Sequence, residues 1–195
     1  MKIAVYCSAK NSIPQEYKDL GATLGAWIAE NGHTLVYGGA TGGLMTAVSD
    51  SVKARGGKVI GVLPHRIIAS GRKAENCDEL VLVKVMSERK QKMRDIADGF
   101  VCLPGSFGTL DEMFDVIASG TVGEHRKPIW IVNYQGFYEP LKAEVQHMKA
   151  LSFLPKEESY QPVYVETIEE LITKINQYDS ILFKSSCTAS TIDNA

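Results

Sequence analysis

The sequence predicts an α/β fold, a mostly parallel sheet with helices on both faces. Three observations carry this expectation. Apolar strand-like runs alternate with helix-period segments almost throughout. Glycine-bearing turns directly follow several of the strands. Repeated βα units join strands that lie parallel, and their crossover helices cover the sheet.

Lys2–Cys7 is the first strand-like run. Pro14–Glu30 reads as a helix: Pro14 suits its first turn, Tyr17, Leu20, Gly21, Leu24, Trp27 and Ile28 form one face, and Asn31-Gly32 stops it. Thr34–Tyr37 is a second strand, followed by the loop Gly38–Gly43 and a helix to about Arg55. Val59–Leu63 is a third strand, ended by Pro64, and a polar loop, His65–Cys77, leads to a fourth, Leu80–Val85. Ser87 opens a helix to Asp98, and Gly99–Leu103 is the fifth strand. Leu110, Met113, Phe114 and Ile117 then recur at helical spacing. Pro128–Asn133 is a sixth strand, Phe137–Lys149 a helix, Val163–Val165 a short strand and Thr167–Gln177 the last helix. The expected organisation is one domain, 1–178, with a Ser/Thr-rich tail, 179–195, loosely held at its end.

The 195 residues suffice for one domain with a sizeable core. Hydrophobic residues at 45%, charged residues at 23% and a net charge of −2 give an ordinary soluble balance. No basic excess points to nucleic acid, and no basic amphipathic segment points to a membrane. Met1–Tyr6 is too short an apolar run for a signal peptide and no run could span a bilayer, so a cytoplasmic location is expected. Cys7, Cys77, Cys102 and Cys187 show no close pairing, and Cys7 and Cys102 read as small buried hydrophobes in a reducing compartment. His33, His65, His125 and His147 lack zinc-ligand spacing.

Ligands of such sheets bind outside the carboxyl ends of the strands. Ser8, Gly39, Met86 and Gly105 directly follow expected strands, so four segments converge on one rim. The loop Gly38–Gly43 is neither a G-x-G-x-x-G site nor a P-loop, since Ala40 breaks the first pattern and Leu44-Met45 the second. It is either a tight turn needing positive φ angles or a close backbone approach to a ligand. Pro104-Gly105-Ser106-Phe107-Gly108 joins a strand to a helix N-terminus, where free N–H groups and the helix dipole suit a phosphate. The following Thr109-Leu110-Asp111-Glu112 also fits a capping box, with Thr109 as N-cap and Glu112 reaching back. Thr167-Ile168-Glu169-Glu170 repeats that pattern without a glycine loop. Glu112 is therefore a cap or a catalytic carboxylate. Ser106 does not sit in the G-x-S-x-G pattern of a serine nucleophile. In Met86–Arg94, four cations crowd a helix start and oppose its dipole at roughly 0.3–1 kcal/mol each. They form a solvated face, or an anionic ligand supplies the missing charge, with Arg89 the best planar donor.

Together these segments resemble the LOG (Lonely Guy) family of cytokinin riboside 5′-monophosphate phosphoribohydrolases, which also carries an older lysine decarboxylase label. The family's Pro-Gly-Gly-x-Gly-Thr-x-x-Glu is matched by Pro104–Glu112, with Ser106 for the second glycine. Glu88-Arg89-Lys90 matches a Glu-Arg-Lys element. Tyr-Gly-Gly-Gly-x-x-Gly-Leu-Met-Gly is matched by Tyr37–Thr46, with Ala40 and Thr46 departing, and Cys-Gly-Ser-Ser appears as Cys7-Ser8-Ala9-Lys10. The resemblance covers roughly residues 1–175 in order. It implies a Rossmann-like, doubly wound sheet, a homodimer, and hydrolysis of a nucleoside 5′-monophosphate such as AMP or an N6-modified AMP to free base and ribose 5-phosphate. It implies no metal and no organic cofactor. Glu112 would stabilise charge on the ribose or activate water, and Arg89 would orient it. The substrate would be held by Ser8, Gly39, Thr41, Met86, Arg89, Lys90, Gly105, Ser106, Phe107, Gly108, Thr109 and Glu112. Ser106 adds a Cβ beside the phosphate cradle, so it needs negative φ or bears a left-handed conformation at about 1–2 kcal/mol. A nucleotide-binding protein without turnover and a dinucleotide-dependent oxidoreductase are the competing classes.

Overall fold

Seven parallel strands form one sheet in the computed structural model, which describes residues 1–69, 71, 76–154 and 160–189. They are β1 (Lys2–Tyr6), β2 (Thr34–Tyr37), β3 (Lys58–Pro64), β4 (Glu79–Val83), β5 (Gly99–Cys102), β6 (Ile129–Val132) and β7 (Val163–Val165). Their order is β4-β3-β2-β1-β5-β6-β7, and every neighbouring pair is parallel. The chain winds outward from β1 to β4, returns to the other side of β1 as β5, and winds on to β7. This is the expected doubly wound, Rossmann-like architecture. The reversal between β1 and β5 opens a crevice at their carboxyl ends, where ligands of such sheets bind.

Burial on both faces explains the continuous apolar runs of the central strands, whereas the edge strand β4 leaves Leu82 exposed. Ile3 and Val5 point to one core, with Leu24, Trp27 and Ile28 of α1 (Gln15–Glu30), Leu44, Val48 and Val52 of α2 (Gly43–Ala54), and Leu171 and Ile175 of α7 (Ile168–Ala189). Ala4 and Tyr6 point to the other core. There they meet Met93 of α4 (Met86–Ile96), Met113 and Val116 of α5 (Phe107–Thr121), and Tyr138, which precedes α6 (Glu139–Ala150). Among the described residues no helix is long and apolar enough to cross a membrane.

Element identities follow expectation, and the differences have local causes. Pro14 caps α1 and stands outside it. The polar loop after β3 begins as a five-residue helix, α3 (His65–Ala69); residues 70 and 72–75 of that loop lie outside the described residues. α7 runs to Ala189, past the expected end at Gln177, so 179–189 is helical where a loose tail was expected. No glycine or proline follows Gln177 to stop it, and Tyr178 packs edge-on against Trp130 at 5.9 Å. Residues 190–195 lie outside the described residues.

The largest correction concerns α5. It begins at Phe107, with Ser106 as N-cap, so Thr109 is its third residue and not a cap. Its buried face is Thr109, Glu112, Met113, Val116, Ser119 and Gly120, whereas Phe114, expected on the inner face, is 42% exposed. Met113→Ala should cost about 2–5 kcal/mol in urea unfolding, because it empties a fully buried position. A cost under about 1 kcal/mol would contradict the full burial of Met113.

Candidate active site

The site begins with a difference between two helix N-termini. At α2 the first donors are used within the chain. Gly42 N–H donates to Thr46 Oγ1 at 2.7 Å, Gly43 N–H to Asn11 Oδ1 at 2.9 Å and Leu44 N–H to Ser8 O at 2.9 Å. Gly42 and Gly43 take φ of +124° and +48°, and any Cβ there would strike the carbonyls of Ala9 and Lys10. Their glycines serve the turn and the docking of the first loop, which is the structural one of the two readings.

At α5 no side chain caps the first turn, and the first helical bond runs from Leu110 N–H to Ser106 O at 3.0 Å. The N–H groups of Phe107, Gly108 and Thr109 precede that bond, so they are the orphan donors of an anion site. Ser106 has φ −104° and ψ −158°, an extended conformation that any residue adopts, so it fits the loop without left-handed strain. The loop is braced from behind: the buried Tyr138 hydroxyl donates to Leu103 O at 2.8 Å, and Tyr138 N–H donates to Asn133 Oδ1 at 2.7 Å.

Below this N-terminus lies a buried ion pair. Arg89 Nη1 donates to Glu112 Oε1, and both side chains are only 5% exposed. Arg89 Nε donates to Val62 O at 3.0 Å. A Cβ on Gly38 would lie 2.2 Å from Arg89 Nη2, so Gly38 is glycine to admit the guanidinium. Burial pushes the Glu112 carboxyl above the usual carboxylate range, and Arg89 opposes the shift. The capping reading of Glu112 thus fails, and the second T-x-x-E supplies the contrast. Glu170 N–H does donate to Thr167 Oγ1 at 3.2 Å, and Glu170 Oε2 accepts from Glu166 N–H at 2.9 Å.

Three of the four cations of α4 find counter-charges on α5 or just beyond its end. Lys90 Nζ meets Asp111 Oδ1 at 2.8 Å and Asp115 Oδ1 at 3.3 Å, and Arg94 pairs with Asp115 and, at 3.5 Å, with Glu124. The hydrogen bond to Asp111, and then its acidic neighbours, raise the Lys90 ammonium above its ordinary range. The neighbouring helix therefore supplies counter-charge to three of the four cations, Arg89, Lys90 and Arg94.

A cavity of about 320 Å³ occupies the crevice. Of the expected binding residues, Ser8, Met86, Arg89, Ser106, Gly108, Thr109 and Glu112 line it. Gly39, Lys90, Gly105 and Phe107 do not: Gly105 packs behind Thr109, and Phe107 is 89% exposed. Thr41 lines a neighbouring cavity. Met45, Leu63, Pro64 and Ile67 form an apolar wall that sequence reasoning missed, and Cys7 and Asp111 join the lining. Burial pushes the Cys7 thiol up, so it is a neutral wall group and not a nucleophile.

A family model described as possible lysine decarboxylase matches residues 45–175. The protein named cytokinin riboside 5′-monophosphate phosphoribohydrolase LOG of Oryza sativa subsp. japonica is 35% identical over 177 residues, covering 91% of this chain and 73% of that one. The cytokinin riboside 5′-monophosphate phosphoribohydrolase of Mycobacterium marinum is 35% identical over 170 residues, covering 87% and 90%. Among solved structures, the molybdenum cofactor binding protein of Rippkaea orientalis superposes with a TM-score of 0.70 at 20% identity, over 91% of this chain and 96% of that one. The X-ray structure of TM1055 gives 0.68 at 24% identity, over 90% and 98%. At those identities the structures bear on the fold alone.

Gly38→Ala should leave the protein folded but displace the Arg89 guanidinium, lowering kcat/KM roughly 10²-fold, the effect of a misplacement of about 1 Å. Unchanged kinetics would show that the guanidinium position is not critical.

Proposed function

This chain belongs to the LOG family of cytokinin riboside 5′-monophosphate phosphoribohydrolases, and on that premise we propose that it hydrolyses the N-glycosidic bond of a nucleoside 5′-monophosphate. The substrate is AMP or an N6-modified AMP, and the products are the free base and ribose 5-phosphate. One observation carries the reading. A buried carboxylate, Glu112, is held by Arg89 directly beneath an uncapped helix N-terminus.

The chemistry follows from charge. As the bond from ribose C1′ to the base breaks, its electrons leave with the base and positive charge builds on the ring. Glu112 stabilises that charge and takes a proton from the attacking water as its oxygen bonds to C1′, the departing base takes up a proton from solvent, and Arg89 fixes the carboxylate. The Gly108 and Thr109 N–H groups, which line the cavity, hold the 5′-phosphate, helped by the Thr109 hydroxyl. The base lies on the apolar wall of Met45, Leu63, Pro64, Ile67 and Met86. Among the described residues no lysine lines the cavity, so decarboxylase chemistry through a Schiff base finds no partner there.

The proposed assembly is a homodimer. The outer face of α5 and its end expose Phe107, Phe114 and Val122 at 89%, 42% and 75%, an apolar stripe suited to a second copy. The proposed setting is the cytoplasm, where Cys7, Cys77 and Cys102 stay free thiols.

A panel of nucleoside monophosphates, assayed for ribose 5-phosphate release, tests the reaction. AMP or an N6-modified AMP should turn over, and Glu112→Gln should lose about 10²–10⁴-fold in kcat. Tight AMP binding without release by wild type would make this a nucleotide-binding protein instead. The pH profile follows from the raised Glu112 carboxyl, which works as the anion. kcat/KM should fall with acid at a pH above the ordinary carboxylate range, and Arg89→Met should move that limb higher still, because Arg89 favours the charged form. A limb at ordinary carboxylate pH in both proteins would remove Glu112 from that role.

A further inference from the structure

A second cavity, of about 930 Å³ and with a mixed polar and apolar lining, adjoins the catalytic one and shares Ala9 and Ser106 with it. Ser106 stands at the phosphate end of the catalytic cavity, so the second cavity begins where a 5′-phosphate ends. Lys10 and Lys18 line it, and neither has an ion-pair partner among the described residues. Its one carboxylate, Asp19, accepts a hydrogen bond from Gln15 Nε2 at 2.8 Å. The backbone under Lys10 is fixed, since Lys10 N–H donates to Ser8 Oγ at 3.1 Å.

Six residues depart from the family signatures, and they divide between the two cavities: Ser8 and Ala40 line only the catalytic one, Lys10 and Thr46 only the second, and Ala9 and Ser106 line both. Arg89, Glu112 and Thr109, which carry the proposed chemistry, keep the signature. Lys10 is the one departure that adds a charge, and of the two cavities it lines the second.

We infer that the second cavity receives a further phosphate carried by the substrate itself, so that a nucleoside 5′-diphosphate binds better than the monophosphate. This rests on the hydrolase reading for the position of the first phosphate. The distal phosphate passes Ser106, whose hydroxyl can donate to it, and meets the ammonium groups of Lys10 and Lys18. Exposed ammonium–phosphate contacts are individually weak and salt-sensitive, so the gain is modest.

The test is equilibrium titration of ADP and AMP into the Glu112→Gln protein, where neither is consumed. Competition of ADP against AMP hydrolysis by wild type gives the same ratio if that variant does not fold. ADP should bind roughly threefold to tenfold tighter at low salt. Lys10→Ala with Lys18→Ala should erase the difference and leave AMP unchanged. ADP binding no tighter than AMP, or equal loss for both in the lysine variants, overturns the inference. A lysine-dependent gain for AMP plus inorganic phosphate, with none for ADP, overturns it too. If wild type releases base from neither nucleotide, the hydrolase reading fails separately, and direct titration of wild type still decides the inference.

Discussion

The Arg89–Glu112 pair is the constraint to which the surrounding structure answers. Both groups are taken out of water, and a buried pair offers little net stability to compensate. Losing one partner would leave a buried charge unmatched, at about 3–5 kcal/mol. The neighbouring backbone is arranged accordingly. Val62 O takes the Arg89 Nε–H, and Gly38 yields the volume of a Cβ to the guanidinium. α5 is rotated so that Glu112, Met113 and Val116 face inward, which sends Phe114 out to the surface.

The same pair organises charge across the switch point of the sheet. α4 follows β4 on one arm of the sheet, and α5 follows β5 on the other. Their facing sides carry Arg89, Lys90 and Arg94 against Asp111, Glu112 and Asp115. The pairs grade from buried at the cavity to exposed at the surface, so only the innermost is freed from solvent screening. The carboxylate best placed for chemistry is thus also one that burial pushes up from its ordinary range. Directly above it, the uncapped first turn of α5 offers N–H donors, so an acidic residue and an anion cradle coexist in one small space.

The central strands were legible in the sequence because burial on both faces leaves no polar alternation to misread. The order of glycine turns and helices followed from them. The direction of Glu112 was not legible. T-x-x-E describes Thr109–Glu112 and Thr167–Glu170 equally, and only the helix start at Phe107 separates a buried acid from a true cap. α5 carries apolar residues on more than one face: of the expected stripe Met113 is buried and Leu110 and Ile117 pack against the core, whereas Phe114 is turned to the surface. The basic run of α4 was visible, whereas its acidic partners lie about twenty residues further on, and no local pattern links them. The role of Gly38 has no local signal at all, since its reason is the tip of a side chain about fifty residues away.

That Arg89 and Glu112 act as one unit is measured most directly by a double-mutant cycle on kcat/KM for AMP, with Arg89→Met, Glu112→Gln and the combined variant. Each single change should cost a large part of the activity, and the double variant should be scarcely worse than Glu112→Gln alone. Losses that multiply would contradict the account, because they would mean that Arg89 acts on the substrate independently of the carboxylate it holds.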